Sequence, residues 1–130
     1  MEKENPFEAV EAKLGYRAVN RDLFAQALTH SSFANESAAA NPDAAPQTGP
    51  SHYERLEFLG DAVIELAVSD LLLARFPEAA EGELSKLRAG LVNTDQLARL
   101  ARGLGLHEAI RLGKGEQATG GMNKPSILAA

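Results

Sequence analysis

Four acidic residues recur at helical spacing in the middle of the 130-residue sequence: Glu54, Glu57, Asp61 and Glu65. At about 100° per residue, their spacing places the four carboxylates in one stripe along a helix. Like charges at this spacing repel, so a bound cation or a proton would lower the cost. Oxygen ligands without sulfur suit Mg²⁺ or Mn²⁺ better than Zn²⁺. The stripe therefore predicts a metal site, with a solvated acidic face as the alternative.

Apolar residues surround this stripe and occupy nearly every angular position of residues 54–76. A helix that is apolar all round is typically buried, so we predict a long, buried central helix. Pro77 cannot continue it. Phe58 falls in the same sector as the carboxylates, where it would be exposed unless another chain covers it. We therefore predict a homodimer whose interface includes Phe58.

Other polar residues each have a functional and a structural interpretation. Glu54 follows Ser51 at the spacing of a capping box. His30 could contact a substrate, but its position beside Thr and Ser favours a helix cap. Several basic residues could contact phosphates, with a solvated helix face as the alternative for each. They are Lys86, Arg88, Arg99, Arg102, Lys114 and Lys124.

Composition limits the possible functions. The sequence contains no cysteine, which excludes disulfides and thiolate metal sites. Its net charge of −5 argues against nucleic-acid binding unless the acids gather at a metal and the bases line another face. The first residues are charged, and no stretch reaches the roughly 20 apolar residues of a membrane span. We expect a cytoplasmic protein without membrane contact.

The sequence predicts one all-α domain, because Leu and Ala dominate and aromatic residues make up only 5%. Short helices are expected between Phe7 and Leu14, where Gly15 ends the first, and between Arg21 and Leu28. After the central helix, further helices are predicted after Gly82, over 94–104 and near 107–110. Residues 37–50 carry Pro, Gly and small residues without an apolar period, and they are predicted to form a flexible loop.

Residues 54–61, ERLEFLGD, resemble the signature of the ribonuclease III family, which includes the nuclease domains of Dicer and Drosha. The resemblance extends upstream to LTHSS at 28–32 and downstream to residues 82–92. It continues through LGKGE at 112–116 and from the Gly pair at 120–121 to SILA at 126–129. It therefore covers nearly the whole sequence from about Phe7 onward.

This resemblance implies an all-helical nuclease domain that dimerises around a cleft for double-stranded RNA. Glu57 would be a direct metal ligand, and Asp61 would help to hold the metal and its water. Glu54 and Glu81 would belong to the acidic surround. Mg²⁺, with Mn²⁺ as the alternative ion, would assist hydrolysis that leaves 5′-phosphate and 3′-hydroxyl ends. The phosphate contacts would come from basic residues between Lys86 and Lys124, namely Lys86, Arg88, Lys114 and Lys124.

One position departs from the family pattern. After SILA the family has an Asp, followed three residues later by a Glu, whereas this sequence has Ala130 and then ends. We therefore expect weak Mg²⁺ binding, slow cleavage and, without the usual double-stranded-RNA-binding domain, weak RNA affinity. The alternatives are a catalytically dead, dimeric RNA-binding or scaffold relative, and a helical metal-dependent hydrolase of small phosphate esters.

Overall fold

The computed structural model describes residues 5–43 and 52–130. Within these ranges the chain forms helices and short turns, without a β-strand, so the all-α prediction is confirmed. The helices are α1 (Pro6–Leu14), α2 (Arg21–Ala27), α3 (Ser31–Ala40), α4 (Glu54–Arg75), α5 (Glu81–Leu91), α6 (Thr94–Gly103), α7 (Leu106–Ala109), α8 (Lys114–Ala118) and α9 (Pro125–Leu128), with a 3-10 turn at Gly121–Asn123 before α9. None of the described helices combines the length and the apolar character that a membrane span requires.

Several predicted helix boundaries agree with the structure. Helix α1 ends at Gly15, which has the left-handed φ of 65° that glycine adopts without a Cβ penalty. Helix α4 ends before Pro77, as expected. Helix α5 begins at Glu81 rather than after Gly82. The short elements α8 and α9 lack an apolar period long enough to predict them.

Helix α3 was not predicted, and it corrects the loop expected over 37–50. Residues 37–40 form its last turn, because Ala has the highest helix propensity. The helix stops before Pro42, whose ring disfavours helical backbone at the residue before it. Residues 44–51, which include the rest of the predicted loop and Ser51, lie outside the described residues.

His30 caps α3, which confirms the predicted structural role. Its ring Nδ1 accepts a hydrogen bond from the backbone N–H of Ser32 at 3.1 Å. This bond satisfies one of the backbone donors that every helix start leaves without a partner inside the helix.

The junction between α2 and α3 joins three segments of the chain. The backbone N–H of Arg111 donates to Leu28 O at 2.7 Å, and that of His30 donates to Arg111 O at 3.0 Å. Thr29, which is fully buried, accepts through its Oγ1 from the Arg111 guanidinium at 2.6 Å. Its carbonyl oxygen accepts from Tyr53 N at 3.0 Å. The start of α4 is therefore held against the same junction as the segment before α8.

Two small apolar clusters form the core of the described residues. Val10, Leu28 and Ala109 make the first, with Phe7 and Phe24 packed against it. Ala98 and Ala101 of α6 and Leu128 of α9 make the second. Leu106 and Ile110 pack against both clusters and so connect them.

Helix α4 is largely exposed, so the prediction that it is buried is wrong for the single chain. Leu72 is its only buried residue, although apolar side chains cover much of its surface. The large exposed ones are Phe58, Leu59, Val63, Leu66, Leu71 and Leu73. An exposed apolar surface of this extent is typical of a protein–protein contact.

Candidate functional site

A cleft of about 330 Å³ contains the two principal acidic candidates. Glu57 and Asp61 line it from α4, and Ala130 lines it from the residues after α9. Apolar side chains of α4, α6 and α9 make up most of the remaining wall. The position at which the family pattern has an Asp therefore lies in the same cleft as the two signature acids.

The cleft disfavours the negative charge of Glu57. Its partial burial raises the pKa of this carboxyl, and the charges of Asp61 and then Glu54 raise it further. A buried carboxylate beside other acids gains from a proton or from a cation. Glu57 is thus placed where a positive ion would be stabilised.

Tyr53 also lines this cleft, and the sequence contained no signal for it. Its ring is buried and packs edge-on against His30, with 5.8 Å between ring centroids. Burial, together with the charges of Glu57 and Glu54, raises the pKa of its hydroxyl to about 12. Tyr53 therefore keeps its proton near neutral pH and adds no negative charge to the cleft wall.

The outer acids lie away from the cleft wall. Glu54 lines a neighbouring groove, and as the first residue of α4 it cannot be the third helical residue that a capping box requires. Glu81 begins α5 and accepts a hydrogen bond from Ser85 Oγ at 3.0 Å. In the described ranges, no three acidic or histidine side chains are grouped closely enough to hold a metal ion. The cleft thus contains two of the predicted acids.

Phe58 is 84% exposed and lies in the groove that Glu54 also lines. This groove has a volume of about 520 Å³, and Gln26, Arg55 and Leu59 contribute to its walls. Phe58 and the cleft acids thus come from neighbouring faces of the same helix. This arrangement agrees with the expectation that a single chain leaves Phe58 uncovered.

The basic candidates differ in whether their side chains already bind other groups of the chain. Lys124 donates from Nζ to Glu116 Oε1 at 2.6 Å, which lowers the pKa of that carboxyl. Arg88 donates to Ser69 Oγ at 3.0 Å. The side chains of Lys86 and Lys114 are exposed and form no ion pair within the described residues. Arg99, another of the six basic candidates, is likewise exposed and has no ion pair in the described ranges.

A further carboxylate, Glu36, was missed because its role depends on distant contacts. It accepts from the backbone N–H groups of Lys114 at 2.6 Å and of Gly115 at 3.1 Å. These two hydrogen bonds are the main reason that the pKa of Glu36 is lowered. Nothing in the local sequence predicts a partner that lies almost at the other end of the chain.

Comparison with known proteins identifies similar sequences and folds. A family model described as ribonuclease-III-like matches residues 20–130. Ribonuclease 3 of Oleidesulfovibrio alaskensis is 48% identical over 122 residues, which cover 94% of this chain and 49% of that protein. Ribonuclease 3 of Desulforamulus reducens is 46% identical over 120 residues, which cover 92% of this chain and 46% of that protein. The chain therefore spans about half the length of these relatives.

A solved structure is similar over most of the chain. It is the nuclease domain of ribonuclease III from Campylobacter jejuni, described for structural flexibility in a region involved in dimer formation. It matches with a TM-score of 0.79 and 41% identity, and the match covers 95% of this chain and 76% of that one. The similarity in fold agrees with the resemblance carried by residues 54–61.

Proposed function

The chain belongs to the ribonuclease-III-like family, and on this premise we propose that it is the nuclease domain of an endoribonuclease that hydrolyses double-stranded RNA. The observation that carries the proposal is the cleft in which Glu57 and Asp61 lie together beside position 130. The matching relatives are named ribonuclease 3, and the similar solved structure is a nuclease domain. The proposed products carry 5′-phosphate and 3′-hydroxyl ends.

The proposed metal ligands are Glu57 and Asp61, with Mg²⁺ as the ion and Mn²⁺ as its substitute. Mg²⁺ commonly takes one or two carboxylates from a protein and completes its coordination with water and phosphate oxygens. The raised pKa of Glu57 supports the assignment, because its causes are burial and the negative charges of Asp61 and Glu54, both of which a bound cation would offset. When bound, Mg²⁺ would supply Lewis-acid stabilisation of charge on the phosphate.

Two of the chain's own residues, Tyr53 and Ala130, would affect the reaction in this cleft. Tyr53 would keep its proton and add no negative charge to the cleft wall, since its pKa is about 12. Ala130 has a methyl group in place of a ligand oxygen, so the cleft would hold the metal weakly. Stabilisation worth several kcal/mol would then be lost, and at about 1.4 kcal/mol per tenfold the rate would fall by roughly a thousandfold or more.

We also propose that the chain acts as a homodimer and binds duplex RNA. The exposed apolar surface of α4, with Phe58 at 84% exposure, supports the dimer. Lys86 and Lys114 are proposed to contact RNA phosphates, with Arg88 and Lys124 contributing less because their donors are already engaged. Binding would be weak and sensitive to salt, because the net charge of the chain is −5.

A second function is supported by the same position 130. A family member without the ligand oxygen would retain the dimer and the RNA-binding surface while losing most catalysis. Such a protein would act as a dimeric RNA-binding or scaffold module. Ala130 is the specific observation that favours this candidate.

A cleavage assay on long duplex RNA with Mg²⁺ tests both functions. Two proteins are compared, one with Ala130 and one with Ala130→Asp, each continued by the segment that follows this position in the ribonuclease 3 of O. alaskensis. We expect cleavage by the Asp version and duplex binding with little cleavage by the Ala version. Equal, rapid cleavage by both would contradict the metal assignment, and cleavage by neither would contradict the nuclease proposal.

A further inference from the structure

The start of α8 is held by side chains of α3, which lies far from it in the sequence. Ser32 Oγ accepts from the backbone N–H of Gly113 at 2.9 Å. The carboxylate of Glu36, one turn further along α3, accepts from the next two N–H groups, those of Lys114 and Gly115. Three successive backbone donors are therefore satisfied from one face of α3.

This contact is close enough to exclude a side chain at position 113. A Cβ built on Gly113 would lie 2.7 Å from Cδ of Glu36 and 2.8 Å from the backbone oxygen of Ser32. Real Cβ atoms do not approach other heavy atoms this closely, so Gly113 allows the backbone before α8 to reach the carboxylate. Helix α8 itself buries none of its residues. Its position therefore depends on polar contacts more than on apolar packing.

A second contact continues from α8 to α9. Glu116 of α8 binds Nζ of Lys124 at 2.6 Å, and Lys124 is the N-cap residue of α9. Gly121, between them, also packs tightly, since a Cβ there would lie 2.6 Å from Cγ of Glu116. The opposite end of α9 packs on α6 through Leu128. Ile127 and Leu128 bury the second half of α9, whereas its first two residues, Pro125 and Ser126, are exposed, so Lys124 is the polar contact at its start.

We propose that Glu36 is a positioning residue for the cleft. Its carboxylate holds the start of α8 and so fixes the position of Glu116. Glu116 in turn fixes Lys124 at the start of α9. The orientation of α9 then determines where residue 130 lies relative to Glu57 and Asp61. The inference rests on the proposed function only in taking this cleft as the metal site. Glu36 itself does not line the cleft.

The first experiment measures the position of α9 directly. The sequence has no cysteine, so Asp70→Cys on α4 and Ser126→Cys on α9 provide the only attachment points for a pair of spin labels. Both residues are exposed. Double electron–electron resonance is recorded with the labelled chain diluted in unlabelled chain, so that only distances within one chain contribute. We expect Glu36→Gln to broaden and shift the distance distribution, because an amide leaves one of the two N–H donors without an acceptor.

The control is Glu83→Gln, which removes an exposed carboxylate from the first turn of α5 and should reproduce the parent distribution. A Glu36→Gln distribution identical to that of the parent would overturn the proposal. If Glu36→Gln does not fold, Glu36→Asp is measured instead, since it keeps the charge but shortens the reach. It is expected to shift the distribution in the same way, and an unchanged distribution would again overturn the proposal.

The second experiment measures Mn²⁺ binding by isothermal titration in the Ala130→Asp chain. Adding Glu36→Gln is expected to weaken Mn²⁺ affinity measurably, because residue 130 would no longer be held in a fixed position beside Glu57 and Asp61. Glu83→Gln should leave the affinity unchanged. Equal affinity with and without Glu36→Gln would overturn the positioning role. If Ala130→Asp binds Mn²⁺ no better than the parent, the metal assignment fails, and the distance measurement alone decides the role of Glu36.

Discussion

Ala130 and Asp61 line the same cleft, although they lie far apart in the sequence. Asp61 comes from the middle of the chain on α4, whereas Ala130 follows α9. The packing of α9 on α6 through Leu128 brings the end of α9 to this place. A single substitution at position 130 therefore changes the number of side-chain carboxylates in the cleft from two to three, and the effect on metal binding can be measured without an activity assay.

We predict that Ala130→Asp makes thermal stability dependent on metal. A third carboxylate adds repulsion in the absence of a cation, so the melting temperature measured in EDTA should fall below that of the parent. Addition of Mn²⁺ should raise it again, because a ligand that binds only the folded state stabilises that state. The parent should respond much less to Mn²⁺.

Ala89→Asp is the matched control for this prediction, since it adds the same side chain at an exposed position of α5. Its melting temperature should not rise with Mn²⁺ beyond the response of the parent. A parent chain that is stabilised by Mn²⁺ as strongly as Ala130→Asp would contradict the account of the cleft.

We predict that Phe58→Ala weakens self-association. A buried aromatic residue at the centre of an interface can contribute about 2–4 kcal/mol, which corresponds to a rise in the dimer dissociation constant of roughly thirtyfold to a thousandfold. Sedimentation velocity over a range of concentrations measures this constant. Val19→Ala, which truncates an equally exposed apolar residue between α1 and α2, is the control and should dimerise like the parent. A parent that stays monomeric at micromolar concentration would rule out the dimer.

We predict that Lys86→Gln weakens binding to duplex RNA and makes it less dependent on salt. Loss of one phosphate contact should reduce the slope of log affinity against log salt by about one. Lys114→Gln should act similarly, since its side chain is also exposed. Fluorescence anisotropy with a labelled duplex at several salt concentrations gives both quantities. Affinity that is independent of salt, or equal for single-stranded RNA, would argue against a surface that reads duplex shape.

Local sequence patterns predicted the elements whose apolar period is long enough to be recognised. Helix α4, with its end before Pro77, and the cap at Gly15 follow from backbone rules that act within a few residues. The exposure of α4 could not be predicted in the same way, because an apolar helix is equally consistent with a buried core and with a surface covered by another chain. Only the packing of the other helices distinguishes these cases.

At the candidate site too, the sequence predicted the features that depend on neighbouring residues and missed those that depend on distant segments. The spacing of Glu57 and Asp61 predicted that they share a face, and the cleft contains both. Spacing could not show that Glu54 lines the neighbouring groove instead, since this depends on which side of α4 faces α6 and α9 across the cleft. Glu36 and Tyr53 were missed for a related reason. Their surroundings come from segments that are distant in the sequence.

The last prediction concerns the ion pair that joins the end of α1 to the start of α2. Glu11 is buried and accepts from Arg21 Nη1 at 2.6 Å and from the backbone N–H of Ala18 at 2.8 Å. The hydrogen bond from Arg21 is the main reason that the pKa of Glu11 is lowered in the folded chain. An unfolded chain has no such partner, so its Glu11 titrates near the ordinary value of about 4.3.

The protonation of Glu11 in the folded and the unfolded chain determines how the stability depends on pH. Above about pH 4.3 the carboxylate is charged in both states, and the folded chain gains the full stabilisation. As the pH falls from there through the lower pKa of the folded state, Glu11 becomes protonated and the stabilisation is lost. We therefore expect the parent to be more stable than Glu11→Gln near neutral pH, and the difference to shrink as the solution is acidified through this window.

Urea unfolding at a series of pH values, followed by circular dichroism, measures this difference. Glu8→Gln, which changes an exposed acid on the same helix, is the matched control and should follow the pH profile of the parent. A difference between parent and Glu11→Gln that stays constant down to pH values well below the ordinary carboxyl range would show that Glu11 acts through packing. In that case the charged pair with Arg21 would not be the source of the stabilisation.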